Sequence, residues 1–382
     1  MPRSCQWLVP AVVALALLGV TFAVPVESAA GTSDDTPVYR TWLTFTPHDG
    51  LPDASIRVIR VVDGDVWVGT DAGLARHNQV GWSSWTAADG LPEAPVSAIE
   101  VDPRTGDLWL GTWGGGLVRF TGGRFDRFTQ FNSGLAGDLI FDIALHGGRV
   151  WVAGNGGVSV FDPFAGTWDL QLEARADTDP TAVTALLGTG KNLFAGAWSG
   201  PLLQLDTRHD ALRPVGVVSA RGGGETDVAM ASGGRLLWWT GRGRLYRRGP
   251  GGRWPGRQFE RPDIAAGFVN FLAARSDSEA WLGTSNGLQV LADAETETWV
   301  LYGIGADRSR GMLTLVRAGR VVGRREVASA LPDPRVRCLA FDGDEVWVGT
   351  PKGLAFGMDS TPWNSSRAPG NKPAGKPAPV SA

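Results

Sequence analysis

Seven positions at near-even spacing carry the side chains with the most binding chemistry. They are Asp71, Trp113, Asn155, Trp198, Arg242, Ser285 and Pro351, each directly after a Gly-Thr or its counterpart. A turn kept only for its geometry drifts towards Gly, Asn and Asp, so two tryptophans and an arginine are out of keeping with that role. Trp113 and Trp198 could offer flat faces to a sugar or peptide group. The competing reading is that each side chain caps a packing seam. A second set is Arg57, Ser97, Phe141, Thr184, Asp227, Asn270 and Arg337, polar at six of seven places inside otherwise apolar runs. Arg57 and Arg337 together would favour a carboxylate or phosphate group. Here the competing reading is a hydrated channel lined by satisfied polar side chains.

Catalytic chemistry is sparse by comparison. The four histidines, His48, His77, His146 and His209, are scattered, without an HExxH or paired-Cys spacing. His48, beside Asp49 and Asp53, could contact a ligand, although a loop histidine is usually just solvated. No GxSxG elbow occurs. GTGK at 188–191 falls short of a phosphate loop, because Ala185 and Asn192 stand where Gly and Ser or Thr are needed. The Asp-Gly-Asp runs at 63–65 and 342–344 lack the ligand count of a calcium loop. No catalytic residue, metal or cofactor is therefore assigned, and binding is favoured over catalysis.

The elements that position these side chains come from a repeat. Residues 65–76 read DVWVGTDAGLAR, and the phrase returns in altered form six times, beginning near 107, 149, 192, 235, 279 and 345. Its anchor aromatics are Trp67, Trp109, Trp151, Phe194, Trp238, Trp281 and Trp347, spaced by 42, 42, 43, 44, 43 and 66 residues. Around each anchor lie four short, turn-bounded strand patterns. A period in the low forties with four strands per unit predicts an all-β fold, a seven-bladed β-propeller of four-stranded antiparallel blades. TWLTF at 41–45 resembles an outer strand but precedes any inner one, and the last unit lacks an outer strand. The N-terminal strand is therefore expected to complete blade seven and close the ring. The first set of positions then falls on second-to-third-strand turns, and the second set at the entry of the inner strands. Both belong to the face on which propellers usually dock ligands. The long last spacing predicts a hairpin inserted at 304–329, with a degenerate eighth blade as the alternative.

The unit is written most fully at 85–120, with WTAADGLP, VSAIEVD, LWLGT and GLVRF in succession. It closely resembles the two-component regulator propeller repeat, which builds extracytoplasmic sensor regions of bacterial hybrid histidine kinases. The resemblance covers about residues 40–357 and is strong in units one, two, six and seven. Units four and five depart from it: Phe194 replaces Trp, Ala197 replaces Thr, and LLWWTGRGR distorts the turn. The resemblance implies a seven-bladed fold and a binding role outside the cytoplasm, often for glycan fragments in relatives. It does not imply signalling by this chain, which reads as a stand-alone propeller.

The remaining sequence sets the context. Residues 1–30 read as a secretory signal peptide: Arg3 precedes a nearly uninterrupted apolar run at 7–24, and Ser28 and Ala30 suit cleavage. An uncleaved anchor is the alternative. Cys338 would be the single thiol of the mature chain, a small buried hydrophobe rather than half of a disulfide. The propeller is expected over 38–358 and a disordered Pro-rich tail over 359–382. Seventeen tryptophans and 53 glycines fit aromatics packed between tightly turning strands, and the net charge is −3. Blade five differs in carrying Arg235, Arg242, Arg244, Arg247, Arg248, Arg253, Arg257 and Arg261 against Glu260. That sector could bind an anionic partner, or be a solvated edge that discourages strand pairing. The sequence thus points to an exported, monomeric propeller, secreted or periplasmic, that recognises a small ligand or a protein. No nucleic-acid partner is expected, and no membrane span once the signal is removed. Two rivals remain: a metal-dependent lyase of the streptogramin-lyase type, which needs a His or carboxylate cluster, and a structural scaffold in a surface complex.

Overall fold

The computed structural model describes residues 35–173, 183–197, 202–206, 211–214, 229–241, 243–263, 267–307, 309–358 and 360–364. Among these residues the strands form seven antiparallel blades and no α-helix. The signal-peptide expectation and the tail beyond residue 364 lie outside the described residues; the first residues of the expected tail are ordered, with Thr361–Pro362 in a strand and Trp363 buried. In blade one the strands are Ile56–Val62, Asp65–Thr70, Leu74–Asn78 and Gly81–Trp85, paired in that order from axis to rim. The inner strands of successive blades lie side by side, and that of blade seven (Cys338–Asp342) returns to that of blade one.

Ring closure follows the expected route. Trp42–Phe45 pairs antiparallel with Gly353–Gly357 and becomes the outer strand of blade seven. Pro37–Val38 pairs with Thr361–Pro362, tying the two ends a second time. Closure in this way leaves no blade without two neighbours, so each sheet buries both faces. Blade six has six strands. Gly311–Arg317 pairs with its fourth strand, Thr298–Ile304, and Arg320–Val327 pairs beyond that.

The repeated phrase has a division of labour. All seven anchor aromatics are at most 7 % exposed. Several pack on aromatics of the next blade, as Trp109 does on Phe161 and Trp281 on Phe341, with ring centroids 5.7 and 5.4 Å apart. Burying one such side chain contributes about 2–3 kcal/mol. The glycine two residues later serves the approach of the next blade rather than a turn. A Cβ on Gly111 would lie 2.6 Å from Ile140 Cγ2, and one on Gly349 would lie 2.7 Å from Ile56 Cγ2. The threonine that follows closes the turn: Thr70, Thr112, Thr284 and Thr350 each donate a buried hydroxyl to a carbonyl three or four residues on, at 2.8–2.9 Å. The residue directly after that threonine is free of this shared duty, and its side chain differs from blade to blade.

Cys338 is buried against Gly349, where burial pushes its thiol up to about 12. The cysteine is chemically quiet there.

Candidate functional site

The inner strands enter the ring at the loop face, and there the structure gathers four of the expected residues. Arg57, from the inner strand of blade one, forms an ion pair with Asp71 of the same blade's second turn. Its guanidinium carbon lies 4.0 Å from the ring centroid of Trp113, from the second turn of blade two. Arg337, at the start of the inner strand of blade seven, donates from Nη1 to Ser55 Oγ at 2.7 Å. Ser55 also bonds the Asp71 carboxylate. Burial works against the Asp71 charge, but the bonds from Ser55 and Arg57 and the two nearby guanidinium charges outweigh it and hold the carboxyl below the usual range. Arg337 is lowered by burial first and by the Arg57 charge second. Among the described residues no carboxylate lies within ion-pair distance of Arg337. Two guanidiniums therefore share one carboxylate at the channel mouth.

Trp113 departs from the expectation of two open faces, because Arg57 covers one of them. The indole is still 44 % exposed. Its backbone is fixed by N–H donation to Pro95 O at 2.9 Å and by a bridge to Leu139. Asn155 joins the cluster through Leu139: its Oδ1 accepts from the Leu139 N–H at 3.2 Å, the work of a turn-closing amide. Trp198 and Arg242 lie outside the described residues, so the two-tryptophan platform rests on Trp113 alone here.

Two more members of the second set bind blade to blade, and Asp227 lies outside the described residues. Ser97 donates to Ile140 O at 2.6 Å, and Asn270 Nδ2 donates to Val336 O at 2.9 Å, in each case on the next inner strand. These are satisfied seam contacts. Arg57 and Arg337 differ because their long side chains reach past the seam to the mouth.

Three features escape a reading of the sequence. The first is a buried acidic step further along the channel wall. Glu100 of blade two takes an ion pair from Arg60 of blade one at 2.5 Å, and burial pushes its carboxyl up. Asp142 of blade three accepts from the N–H groups of Ile143 and Leu186 at 2.9 and 2.7 Å. Surrounding protein atoms push this carboxyl up to about 7, against the help of those two bonds. The second is the surroundings of the blade-five arginines. Glu295 of blade six pairs with both Arg247 and Arg257, at 2.8 and 2.9 Å, and Glu297 reaches Arg257 at 3.5 Å. Arg244 pairs with Glu260 at 3.1 Å, and Arg248 lies 4.2 Å over Trp254. Two of those arginines are thus met by carboxylates of blade six, which a blade-by-blade tally assigns elsewhere. The third is a cavity of about 520 Å³ on the loop face between blades six and seven.

His48 lies exposed in the short 3-10 turn Pro47–Asp49. Among the described residues no three His, Cys, Asp or Glu side chains assemble as a metal ion would require. No helix among them is long and apolar enough to cross a membrane.

No protein-family model matches the chain, and a comparison with curated protein sequences finds no match. Solved structures do match. The extracellular domain of a hybrid two component system from B. thetaiotaomicron superposes with a TM-score of 0.64 at 13 % identity, over 84 % of this chain and 40 % of that one. This chain therefore spans about two fifths of that protein's length. Virginiamycin B lyase from Staphylococcus aureus gives a TM-score of 0.59 at 13 % identity, over 84 % of this chain and 99 % of that one. YCF48 bound to a D1 peptide gives 0.56 at 15 % identity, over 84 % and 98 %. At such identities the likeness is one of fold, and it places this chain among seven-bladed propellers that include extracellular sensor domains.

Proposed function

We propose that the protein is an exported, sensor-like recognition propeller that binds a small ligand at the mouth of its channel, on the loop face, without transforming it. The observation that carries this reading is the Arg57–Asp71–Trp113–Arg337 cluster, supplied by three blades that meet only when the ring closes. Arg57 is held by Asp71 and by the indole, which leaves Arg337 as the group with charge to offer. A carboxylate or other anionic group on a glycan or peptide would accept from Arg337, and the open side of Trp113 would receive an apolar or ring portion. Charge-assisted bonds of this kind are about twice as strong as neutral ones. The extracellular sensor domain with the same fold supports an exported setting, as does the secretory pattern of residues 1–30.

The test is a thermal-shift screen of the chain without residues 1–30 against sugars, peptides, organic acids and divalent cations, since selective binding raises the melting temperature by mass action. A hit that Trp113→Ala and Arg337→Gln both weaken is the expected result. A hit indifferent to both substitutions moves recognition away from the mouth. Turnover that depends on a divalent cation replaces this reading with the lyase alternative.

A further inference from the structure

The cavity between blades six and seven is built by parts that do not serve the channel mouth. One wall is the second turn of blade six, at Ser285. Another is the stretch at Ile304 and Ala306, where the two extra strands of blade six depart from its fourth strand. The third carries Arg335 and Lys352 of blade seven. A volume of about 520 Å³ is in the usual range for a small-molecule site, about 300–1,000 Å³. Backbone bonds pin the walls together: Val336 N donates to Thr284 O at 2.8 Å and Gly287 N to Pro334 O at 2.6 Å. A site held in this way needs little ordering when a ligand arrives.

Its charge is set by Asp333, whose side chain is only 4 % exposed. Oδ1 accepts from Arg335 N and Nε at 3.0 and 2.9 Å, and Oδ2 faces Arg335 Nη2 at 3.3 Å and Lys352 Nζ at 3.4 Å. One buried carboxylate thus orients two cations that are themselves 55 % and 65 % exposed. It cancels one positive charge and leaves the other. Among the described residues Arg335 Nη1 has no protein partner. The Ser285 hydroxyl oxygen accepts from Phe268 N at 3.0 Å, so its proton remains to be donated. Ile304, Ala306 and the prolines of the blade-seven loop add apolar surface, beside the polar Asn286. A single surplus positive charge matches a monoanion. A phosphate dianion would leave the cleft with an uncompensated negative charge.

We propose that this cleft is a second ligand site, for a small molecule carrying one carboxylate beside a compact apolar or sugar ring portion. The carboxylate would sit between Arg335 and Lys352, with the Ser285 hydroxyl as a third donor. The proposal does not rest on the mouth cluster, since none of the cleft residues belongs to it.

Isothermal titration of the chain without residues 1–30 tests the cleft. The probes are galacturonate and its methyl ester, N-acetyl-dialanine and its amide, and inorganic phosphate. At least one free acid is expected to bind, at least about tenfold more tightly than its ester or amide and than phosphate, because charge-assisted bonds are lost without the carboxylate. Which acid binds distinguishes a uronate from a peptide carboxylate. Arg335→Gln and Lys352→Gln should each weaken binding about tenfold, Lys352→Glu should abolish it, and Arg337→Gln should leave it unchanged. Unliganded melting temperatures should fall modestly, most for Arg335→Gln, because the nearly buried Asp333 carboxylate loses a partner, so each titration is made well below the variant's own melting temperature. Failure of both acids to bind overturns the proposal. So does binding that survives Arg335→Gln and Lys352→Gln, and binding lost in Arg337→Gln would place that ligand at the mouth instead.

Discussion

Trp109 and Trp113 stand four residues apart in blade two, and each lies beneath an arginine that is held by an aspartate. Over Trp109 the arginine is Arg119, 5.6 Å from the ring centroid and paired with Asp107. Over Trp113 it is Arg57, 4.0 Å away and paired with Asp71. The chemistry is the same and the settings are opposite. Trp109 is 1 % exposed, Asp107 is buried, and the charges balance one to one. Trp113 is 44 % exposed, its trio is assembled from two blades, and Arg337 adds a second positive charge around the single carboxylate of Asp71. The comparison teaches that an Arg–Asp–Trp group is structural when closed and neutral. The same group becomes a candidate for recognition when one face and one charge are left over. Blade one repeats the closed form with Arg76, Asp65 and Trp67.

The contrast can be broken at its strongest point first. Trp109→Ala should cost about 3–5 kcal/mol, as large-to-small changes of buried aromatics do, and chemical denaturation would read the loss. A loss comparable to that from a surface change would mean the anchors do not hold the ring. Asp107→Ala should come next, at about 1–3 kcal/mol, because it strands a half-buried Arg119. The equivalent change at the mouth, Asp71→Ala, should cost a comparable amount, because it leaves Arg57, 18 % exposed, and Arg337 side by side without their shared carboxylate.

The channel supplies a test by pH. The Asp142 carboxyl titrates near 7 in the folded chain, above its ordinary value in the unfolded one. Between those two values the folded state holds a proton that the unfolded state has released, so stability falls as pH rises from about 4 to 7. Asp142→Asn should flatten that part of the profile, whatever its effect on absolute stability. An unchanged slope in urea titrations at pH 4, 5.5 and 7 would contradict the burial argument. The smallest effect is expected from Trp113→Ala, within about 0.5 kcal/mol without ligand. A larger loss would turn Trp113 into another structural anchor.

The ring was legible because a repeat writes the same packing problem seven times. Trp67 and its counterparts, and the unpaired TWLTF at the start, were enough to expect seven blades and N-terminal closure. The varying position after Gly-Thr was legible for the same reason: everything around it repeats. The partners of each varying residue were harder to read, because they come from other blades. Nothing near Trp113 in the sequence shows that Arg57 covers its face, and nothing in blade five shows Glu295 of blade six beside Arg247 and Arg257. Glu100 and Asp142 look like ordinary strand residues until the closed ring surrounds them with protein. The cleft depends on a loop, an extra hairpin and a turn from two blades, a conjunction with no local signature.

The central claim is that Arg337 holds the charge available for recognition at the mouth. Its most direct test is titration of an anionic ligand found by the thermal-shift screen into the parent chain and into Arg337→Gln, with Lys352→Gln as the control for the cleft. The account predicts that Arg337→Gln weakens binding about tenfold or more while its melting temperature without ligand stays within a few degrees of the parent. Equal affinity in the parent and Arg337→Gln would contradict it.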